Sequence, residues 1–456
     1  MKSHTRELSS LALSIAVASL GLAAAQSASA GGFIEDSKAN LTLRNFYINT
    51  DNRNGANDPS KQEEWGQGFL LNYQSGFTEG TVGVGVDALG LLGVRLDSGK
   101  GTHYNPTSAS YSGTVFPTDD DGRAVDDFSS LGLTAKAKVS KTEFRYGTLQ
   151  PKLPVVTFND GRLLPQTFQG GQVTVNEIKE LTLIGGQLEH AKGRSSSSNE
   201  GLSIAGANNA RTGEFTNKFY FAGGDYRVND DLTLQYYYGN LEDFYKQHFL
   251  GLLHNLQIGP GVLKTDLRYF NSRSDGANDH DRAFFTSGYY GAGVTKGEVD
   301  NRAYSGLFTY IVEGHSFGAG YQALNGDSDF PFINNGDGAT AYLITDVQIG
   351  KFQRAGERTW QVRYGYDFAK AGLPGLTFST LYLRGDNIYT GRGDQSEWER
   401  DISLAYVLPD GALKGLGLAW KNASFRSGLP VSGSGTATQR DQDENRLIVS
   451  YTIPLL

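Results

Sequence analysis

The sequence is distinctive for what it lacks: 456 residues contain no cysteine, and no long apolar run follows the first 30 positions. The absence of cysteine rules out disulfides and thiolate metal sites, and it suits a chain that crosses an oxidising compartment. Hydrophobic residues make up only 38%, and the mean hydropathy is -0.38. A bundle of membrane-spanning helices is therefore excluded, because each helix needs about 20 mostly apolar residues in a row.

An excess of positive charge is also missing. The net charge is -8 at pH 7, and the sequence pI is about 5.5, which argues against nucleic acid as a partner. The seven histidines are scattered and form no helical metal-binding pair. The glycine-rich run 83–88 superficially fits a dinucleotide fingerprint, but its valines alternate as they do in a strand. The sequence therefore predicts no catalytic residue, no metal and no cofactor.

The first 30 residues have the layout of a secretory signal peptide. Lys2 and Arg6 give a positive start, residues 11–25 are apolar, and Ala28 and Ala30 frame a small-x-small cleavage site. We expect cleavage after Ala30, which leaves residues 31–456 as the mature chain.

What the mature chain does contain is a regular alternation of apolar and polar residues. In 131–139, Leu, Ala and Val alternate with Gly, Thr and Lys, and in 360–368 aromatic residues and Val alternate with Gln, Arg and Asp. Successive side chains of a strand point to opposite faces, so each segment has one apolar and one charged face. Such strands are typical of a transmembrane antiparallel β-barrel with lipid outside and water inside.

About eighteen strands can be marked, and bacterial barrels have an even number. The clearer strand predictions are 39–49, 64–74, 80–89, 130–139, 141–149, 231–239, 262–270, 304–312, 315–323, 359–368, 375–385, 414–422 and 445–454. The weaker ones are 173–190, 216–223, 245–256, 340–350 and 399–407. Tight turns such as 313–314 alternate with long polar loops at 90–128, 191–213, 271–300, 324–339 and 423–444. The predicted fold is an all-β barrel of about 18 strands.

A soluble β-sandwich or propeller also alternates strands with polar turns. Such proteins put Val, Leu and Ile inside, whereas here Tyr and Phe concentrate on the apolar face, and no repeat of blade length is visible. Aromatic residues at strand ends suit a membrane interface. A barrel is therefore the preferred interpretation, and we expect the protein to lie in the outer membrane of a Gram-negative cell.

The alternation also predicts which cations face the water-filled interior. Near the middle of the membrane, an arginine on the lipid face costs about 2–4 kcal/mol, so cations flanked by apolar neighbours should point inward. The inward set is Arg44, Lys136, Lys138, Arg145, Arg268, Arg363 and Arg446. Such a row can guide anions by gripping each carboxylate weakly. Alternatively, these cations neutralise inward carboxylates such as Glu143, Asp266 and Asp367 for folding.

The segment 150–171 departs from the alternation. Its three prolines exclude a central strand, and it is too apolar for a solvated loop. We expect a loop folded into the barrel that narrows the pore and presents Asp160 and Arg162. The alternative is an extracellular loop packed on its neighbours.

Acidic clusters fall in predicted loops, at 119–121 and at Asp279 and Asp281. They are expected to be solvated surface. Alternatively, divalent cations bridge these carboxylates to lipopolysaccharide. Lipopolysaccharide and outer-membrane lipid are both expected partners.

Several runs resemble the porin D (OprD) family of outer-membrane carboxylate channels. The most specific is Asn159-Asp160-Gly161-Arg162-Leu163-Leu164-Pro165-Gln166-Thr167, and others are 44–47, 64–69, 360–364, 373–378 and 446–449. The resemblance implies an 18-stranded barrel with a narrow constriction and a ladder of basic side chains. It implies that Arg162 is the constriction arginine and that Arg363 and Arg446 are ladder positions. Arg53, Arg268 and Lys421 are looser correspondences.

The run 417–421 has fewer arginines than some relatives carry, which favours the aromatic-acid branch that resembles the OccK channels. The expected function is passive uptake of small carboxylates, such as benzoate-like acids, by a monomer or a loose homotrimer. Two alternatives are a porin of the same fold for basic amino acids or peptides, and a barrel hydrolase with converging Ser and His residues. A third alternative is a non-conducting barrel that serves as a binding platform. Such a barrel needs a plugged interior, and we recognise no separate plug domain before the first predicted strand.

Overall fold

The computed structural model describes residues 32–53, 61–103, 115–205, 215–278, 298–333, 340–389, 393–429 and 441–456. The predicted signal peptide, Asp279 and Asp281 lie outside these residues. Helix is confined, in the described part, to the short turns Lys100–His103, Gly276–Asn278 and Phe368–Ala371. No helix in the described ranges is long and apolar enough to cross a membrane.

Eighteen long strands of the described residues form one closed antiparallel β-barrel. Each strand pairs with the next along the chain, and the first pairs with the last, from Asn40 opposite Pro454 to Asn52 opposite Gln442. The strands are β1 Lys38–Asn52, β2 Lys61–Gln74, β3 Gly83–Asp97, β4 Asp127–Val139, β5 Thr142–Leu149, β6 Thr167–Val175, β7 Leu181–Lys192, β8 Phe219–Arg227, β9 Leu232–Leu241, β10 Tyr245–Ile258, β11 Gly261–Ser274, β12 Asp300–Val312, β13 His315–Asn325, β14 Arg358–Asp367, β15 Leu376–Ile388, β16 Gln395–Val407, β17 Gly417–Ser427 and β18 Gln442–Pro454. The predicted fold class is confirmed.

The alternation that predicted the strands also determines which side chains meet lipid. In β4, Leu131 and Leu133 are 53% and 57% exposed on the outer surface, whereas Lys136 is buried inside. In β18, Leu447 is exposed and Arg446 is buried. Apolar side chains therefore coat the barrel, and the polar partners of the alternation line it.

Two of the strand predictions are wrong, and their errors cancel in the count. The predicted strand 173–190 is two strands, β6 and β7, separated by a turn at 176–180. The predicted strand 340–350 is a loop, because its apolar residues pack against the interior wall rather than pairing with a neighbour.

The connections differ in length at the two ends of the barrel. One end has turns as short as 140–141, 259–260 and 313–314, and at the last of these Glu313 and Gly314 both have positive φ. The other end carries connections as long as 98–126 and 326–357. Short turns at one end and long loops at the other are typical of outer-membrane barrels, whose long loops face the exterior.

The interior is partly filled by the long connections. Val155, Ile204 and Phe332 come from three different loops, and they form one buried cluster with wall residues such as Phe249 and Phe270. The loops therefore contact the inner wall and occupy part of the barrel interior.

Candidate functional site

The connection between β5 and β6, residues 150–166, is the first of two loops that contact inward-facing cations. Its prolines remove backbone donors, and a two-residue ladder pairs Lys152–Leu153 with Val156–Thr157. The predicted segment, 150–171, extends too far, because Thr167–Val175 belongs to the wall as β6. We call residues 150–166 the first constriction loop.

Apolar packing anchors this loop to the wall near the seam where β1 pairs with β18. Leu163 and Leu164 are 0% and 1% exposed, in a cluster with Phe46 of β1 and Phe116. Gly66 of β2 makes the approach possible, because a Cβ there would lie 2.7 Å from both Leu163 and Phe116. A small wall residue at this point therefore lets the loop lie flat against β1 and β2.

The polar tip of the first constriction loop is held by Arg44 of β1. Arg44 Nη1 donates to Asp160 Oδ1 at 2.7 Å, and Nη2 donates to Oδ2 at 3.2 Å. Arg44 Nη1 also donates to the carbonyl oxygen of Arg162 at 3.0 Å. This paired geometry neutralises much of the charge of both Arg44 and Asp160.

Arg162 lies next to the last strand. Its Nη2 is 4.0 Å from Glu444 Oε2, and its Nη1 donates to the carbonyl oxygen of Gly161 at 3.1 Å. Arg446 of β18 donates through Nε to Glu444 at 2.6 Å and through Nη1 to the carbonyl oxygen of Gly161 at 3.4 Å. The structure thus brings Arg44, Asp160, Arg162 and Arg446 together around one loop tip.

The second loop that contacts the cations is residues 340–355, which we call the second constriction loop. Phe352 anchors it in a cluster with Leu383 and Phe425 of the wall. Three inward arginines donate to its backbone oxygens: Arg268 to Tyr342 at 3.2 Å, Arg363 to Ile344 at 2.5 Å and Arg446 to Gln348 at 3.0 Å. Arg268 also stacks over the ring of Tyr342, at 4.0 Å from its centroid. Arg446 therefore contacts both loops.

Other predicted cations lie near the short-turn end, away from the constriction loops. Lys136 pairs with Asp87 at 2.7 Å and donates to the carbonyl oxygen of Ser75. Arg145 lies 3.4 Å from the same carboxylate, and Lys138 lies 5.6 Å from the ring centroid of Phe77. These three form a separate group inside the barrel.

The sequence analysis gave a second possible role for the inward cations, the neutralisation of inward carboxylates. The structure shows such pairs for some of them. Arg145 bonds to Glu143, and Arg268 bonds to Asp266 at 2.6 Å. Asp367 does not take part, since its carboxylate caps the helical turn that follows β14. Of the three carboxylates in that alternative, only Glu143 and Asp266 therefore pair with a predicted cation.

Arg363 and Lys421 face inward, and neither forms an ion pair with a carboxylate of the described residues. Across the described ranges, no carboxylate lies within ion-pair distance of Arg363, whose Nε donates to Gln361 at 2.6 Å. Lys421 likewise has no hydrogen-bond or ion-pair partner there, and it lies opposite Arg446 in the β17–β18 register. Neutral carbonyl and amide oxygens hold a guanidinium in place without cancelling its charge.

Arg53 does not belong to this set, which corrects the looser correspondence. It follows the last residue of β1, and its side chain is 53% exposed. It pairs with Asp443 at 2.7 Å and Asp51 at 3.3 Å, at the rim that carries the long loops. By strand alternation these two carboxylates lie on the outer face, so Arg53 is turned away from the interior.

Sequence reasoning missed several residues of the site. Glu444 precedes Arg446 by two positions, so alternation alone could have placed it on the same inward face. Arg194, from the loop after β7, is 7% exposed and donates to Asn159 at 2.9 Å. No local pattern links residues this far apart in the sequence.

Two features resemble parts of a hydrolase. His103 lies 2.6 Å from Glu64 and 2.9 Å from Thr118, but His103 and Glu64 are fully buried, so no substrate reaches them. The run 314–318 has the form Gly-x-Ser-x-Gly, a match that the sequence analysis missed. It starts a barrel strand, β13, rather than the strand-to-helix turn that a nucleophilic serine needs.

Comparison with known proteins agrees with this architecture. The family model described as "outer membrane porin, OprD family" matches residues 31–455. The porin-like protein GalP of Pseudomonas putida is 40% identical over 429 residues, which cover 94% of each chain. The solved structure of Pseudomonas aeruginosa OccK8 (OprE) is 72% identical, with a TM-score of 0.84, over 93% of this chain and 100% of that one. The structure of P. aeruginosa OpdK with vanillate is 37% identical, with a TM-score of 0.80 and the same coverages.

Proposed function

The chain belongs to the OprD family of outer membrane porins, and we propose that it takes up small carboxylates, in particular aromatic acids, by passive diffusion. Members of this family are substrate-specific channels of the Gram-negative outer membrane rather than enzymes. The hydrolase alternative is therefore not retained. What remains to be argued is the class of solute and the residues that select it.

The observation that carries this proposal is that Arg363 and Lys421 face inward without an ion pair to any carboxylate of the described residues. A carboxylate that enters the constriction meets Arg363, whose partners are neutral oxygens, and Lys421, which has no hydrogen-bond or ion-pair partner among the described residues. An arginine grips a carboxylate through two parallel hydrogen bonds, and a site that is weak enough to release its anion still conducts. Arg446 lies opposite Lys421 and extends the row toward the first constriction loop.

The remaining predicted residues are assigned lesser roles in the same path. Arg44, Asp160 and Arg162 hold and shape the constriction, while Arg268 is a ladder position that Asp266 partly neutralises. Lys136, Lys138 and Arg145 form the cationic group at the far end, where the solute leaves.

Support for aromatic acids comes from the second constriction loop and from a relative. Tyr342 lies beside Arg268, so an aromatic ring and a guanidinium are adjacent at the passage wall. OpdK, which is 37% identical, has been solved with vanillate, an aromatic carboxylate. A solute with both groups matches such a wall.

Basic amino acids are the second candidate, since Asp160 is 44% exposed and could attract an ammonium group. Its pairing with Arg44 at 2.7 Å weakens that attraction, and the benzoate-type solute is preferred for this reason.

The test is single-channel recording in planar bilayers with benzoate, arginine and glucose as competing solutes. We expect benzoate to block or permeate at the lowest concentration, and Arg363→Gln to weaken that effect about tenfold by removing a charged hydrogen-bond donor. Arg273→Gln is the matched control, because Arg273 faces outward and pairs with Asp300. Preference for arginine over benzoate would replace the substrate class, and no solute preference at all would refute selective uptake.

The proposal also includes export and assembly. Residues 1–30 would direct secretion and be removed, and each barrel would conduct alone, as a monomer or within a loose homotrimer. Intact mass measurement of the outer-membrane protein checks the first point, with Gly31 expected as the first residue. Cross-linking in the membrane, followed by channel recording, checks the second.

A further inference from the structure

The outer face of the barrel changes from polar to apolar along a line that crosses neighbouring strands. In β15–β18 most outward side chains toward the long-loop end are polar, with Trp398 as an aromatic exception, and most of those below are apolar. The change occurs between Arg384 and Tyr382 in β15, Arg400 and Ile402 in β16, Asn422 and Trp420 in β17, and Asn445 and Leu447 in β18. This line marks where hydrocarbon gives way to lipid headgroups.

Arg400 lies on this line and faces outward. Its neighbours Glu399 and Asp401 are 0% and 8% exposed and point to the interior, so strand alternation turns Arg400 to the outer face. Within the part of the chain that the structure describes, no carboxylate lies within ion-pair distance of its guanidinium. Its Nη2 donates only to neutral oxygens, at 2.7 Å to Asn422 and at 2.9 Å to Ser424.

Neighbouring outward arginines differ from Arg400 in this respect. Arg384 bonds to Asp386 at 3.0 Å, and Arg426 pairs with Asp443 at 2.9 Å. Both charges are compensated by the protein itself. Arg400 is thus a cation that the protein orients through neutral oxygens, without an ion pair.

A polar network supports the guanidinium from the side. Asn422 Nδ2 donates to Asn445 Oδ1 at 3.0 Å, and Trp420 Nε1 donates to the same oxygen at 3.3 Å. On the other side, the rings of Tyr382 and Trp398 stack with their centroids 5.9 Å apart. Arg400 therefore lies in a shallow polar site with an aromatic border, at the depth where headgroups begin.

We propose that Arg400, held in position by Asn422 and Ser424, binds a phosphate group of lipid A, the lipid anchor of lipopolysaccharide. The long-loop end faces the exterior, so the adjoining leaflet is the outer one, where lipid A carries its phosphates directly above its acyl chains. The free N–H groups of Arg400 supply charge-assisted hydrogen bonds to phosphate oxygens, and the apolar side chains below meet the acyl chains.

The test measures lipid retention by the full-length purified barrel with native mass spectrometry. Wild-type protein is titrated with bisphosphorylated lipid A, with enzymatically dephosphorylated lipid A and with phosphatidylglycerol. We expect bisphosphorylated lipid A to be retained best and Arg400→Gln to lower its retention about fivefold to tenfold, which corresponds to the loss of one cation near a headgroup. Arg400→Lys should keep part of the binding. Arg273→Gln, an outward arginine with a protein partner, should bind like wild type.

Equal retention by wild type and Arg400→Gln would overturn the site. Equal retention of the phosphorylated and dephosphorylated lipids by wild type would do the same without any variant, so the test survives if Arg400→Gln fails to fold. Phosphatidylglycerol binding that depends on Arg400 as strongly as lipid A binding would also overturn the assignment to lipid A. Channel selectivity is expected to stay unchanged in Arg400→Gln, which separates this proposal from the one on carboxylate uptake.

Discussion

The two constriction loops hold inward arginines by different chemistry. The first offers a carboxylate, Asp160, which pairs with Arg44, whereas the second offers backbone oxygens, as Ile344 does to Arg363. Both contacts fix a guanidinium, but only the first cancels its charge. In the proposed function, the first loop mainly shapes the passage, and the wall beside the second loop mainly attracts the solute.

The sharpest way to break this comparison is the double variant Arg363→Gln and Lys421→Gln. Both side chains lack a carboxylate partner among the described residues, so their removal takes charge from the passage without leaving an anion unpaired. We expect benzoate permeation relative to glucose to fall about tenfold to a hundredfold. Liposome swelling rates with the two solutes measure this ratio, and a ratio unchanged from wild type would contradict the assigned role.

Arg162→Ala should have a smaller effect. Arg162 is 4.0 Å from Glu444, so its charge is partly compensated, but it lies at the tip of the first constriction loop. We expect a severalfold lower carboxylate uptake, with the strand content by circular dichroism equal to that of wild type. Normal uptake by a correctly folded variant would show that the arginine serves packing alone.

Asp160→Asn tests the first loop in the opposite direction. The change removes the carboxylate that neutralises Arg44 while keeping the shape of the side chain. We expect anion selectivity to rise, because Arg44 loses its neutralising partner. The rise should be only about twofold, because an exposed ion pair contributes little energy. Reversal potentials in a salt gradient give the selectivity, and a shift toward cations would contradict the compensation by Arg44.

The smallest effect is expected at Glu177, in the turn between β6 and β7, far from either loop. Hydrogen bonds from the Thr142 hydroxyl, the Lys141 backbone N–H and the Ser140 hydroxyl lower the pKa of its carboxyl group. A lowered pKa in the folded state stabilises the barrel above the ordinary pKa, and this contribution is lost as the pH falls through the folded value. Glu177→Gln should flatten acid unfolding slightly in this range and leave solute selectivity unchanged, as followed by thermal melts between pH 3 and pH 7 (about the range where carboxylates titrate). A changed selectivity would contradict the purely local role.

The barrel wall could be predicted from the sequence because alternation is a local property. Each inward cation in a strand, such as Arg363 or Arg446, was assigned from its immediate neighbours, and the structure places both inside. The same logic failed for residues 340–350. Their apolar residues suit a strand, yet they face the interior wall, a partner that no local pattern can identify.

The ion pairs around the loops were harder to predict for the same reason. Arg44 and Asp160 are 116 positions apart, and Arg446 and Gly161 are 285 apart. Only the closed barrel brings these residues together, so these two contacts could not be predicted from the sequence. Arg53 was included from the family resemblance rather than from alternation, and it lies just past the end of β1 with its side chain turned outward.

The seam between β1 and β18 has a consequence for assembly. Arg44 of β1 and Arg446 of β18 approach the tip of the first constriction loop from opposite sides of that seam. In a barrel whose first and last strands have not yet paired, only one of these two arginines can contact the loop tip. Pairing of the terminal strands therefore also fixes the position of the constriction loop. We expect an intermediate with unpaired terminal strands to pass solutes less selectively than the closed barrel.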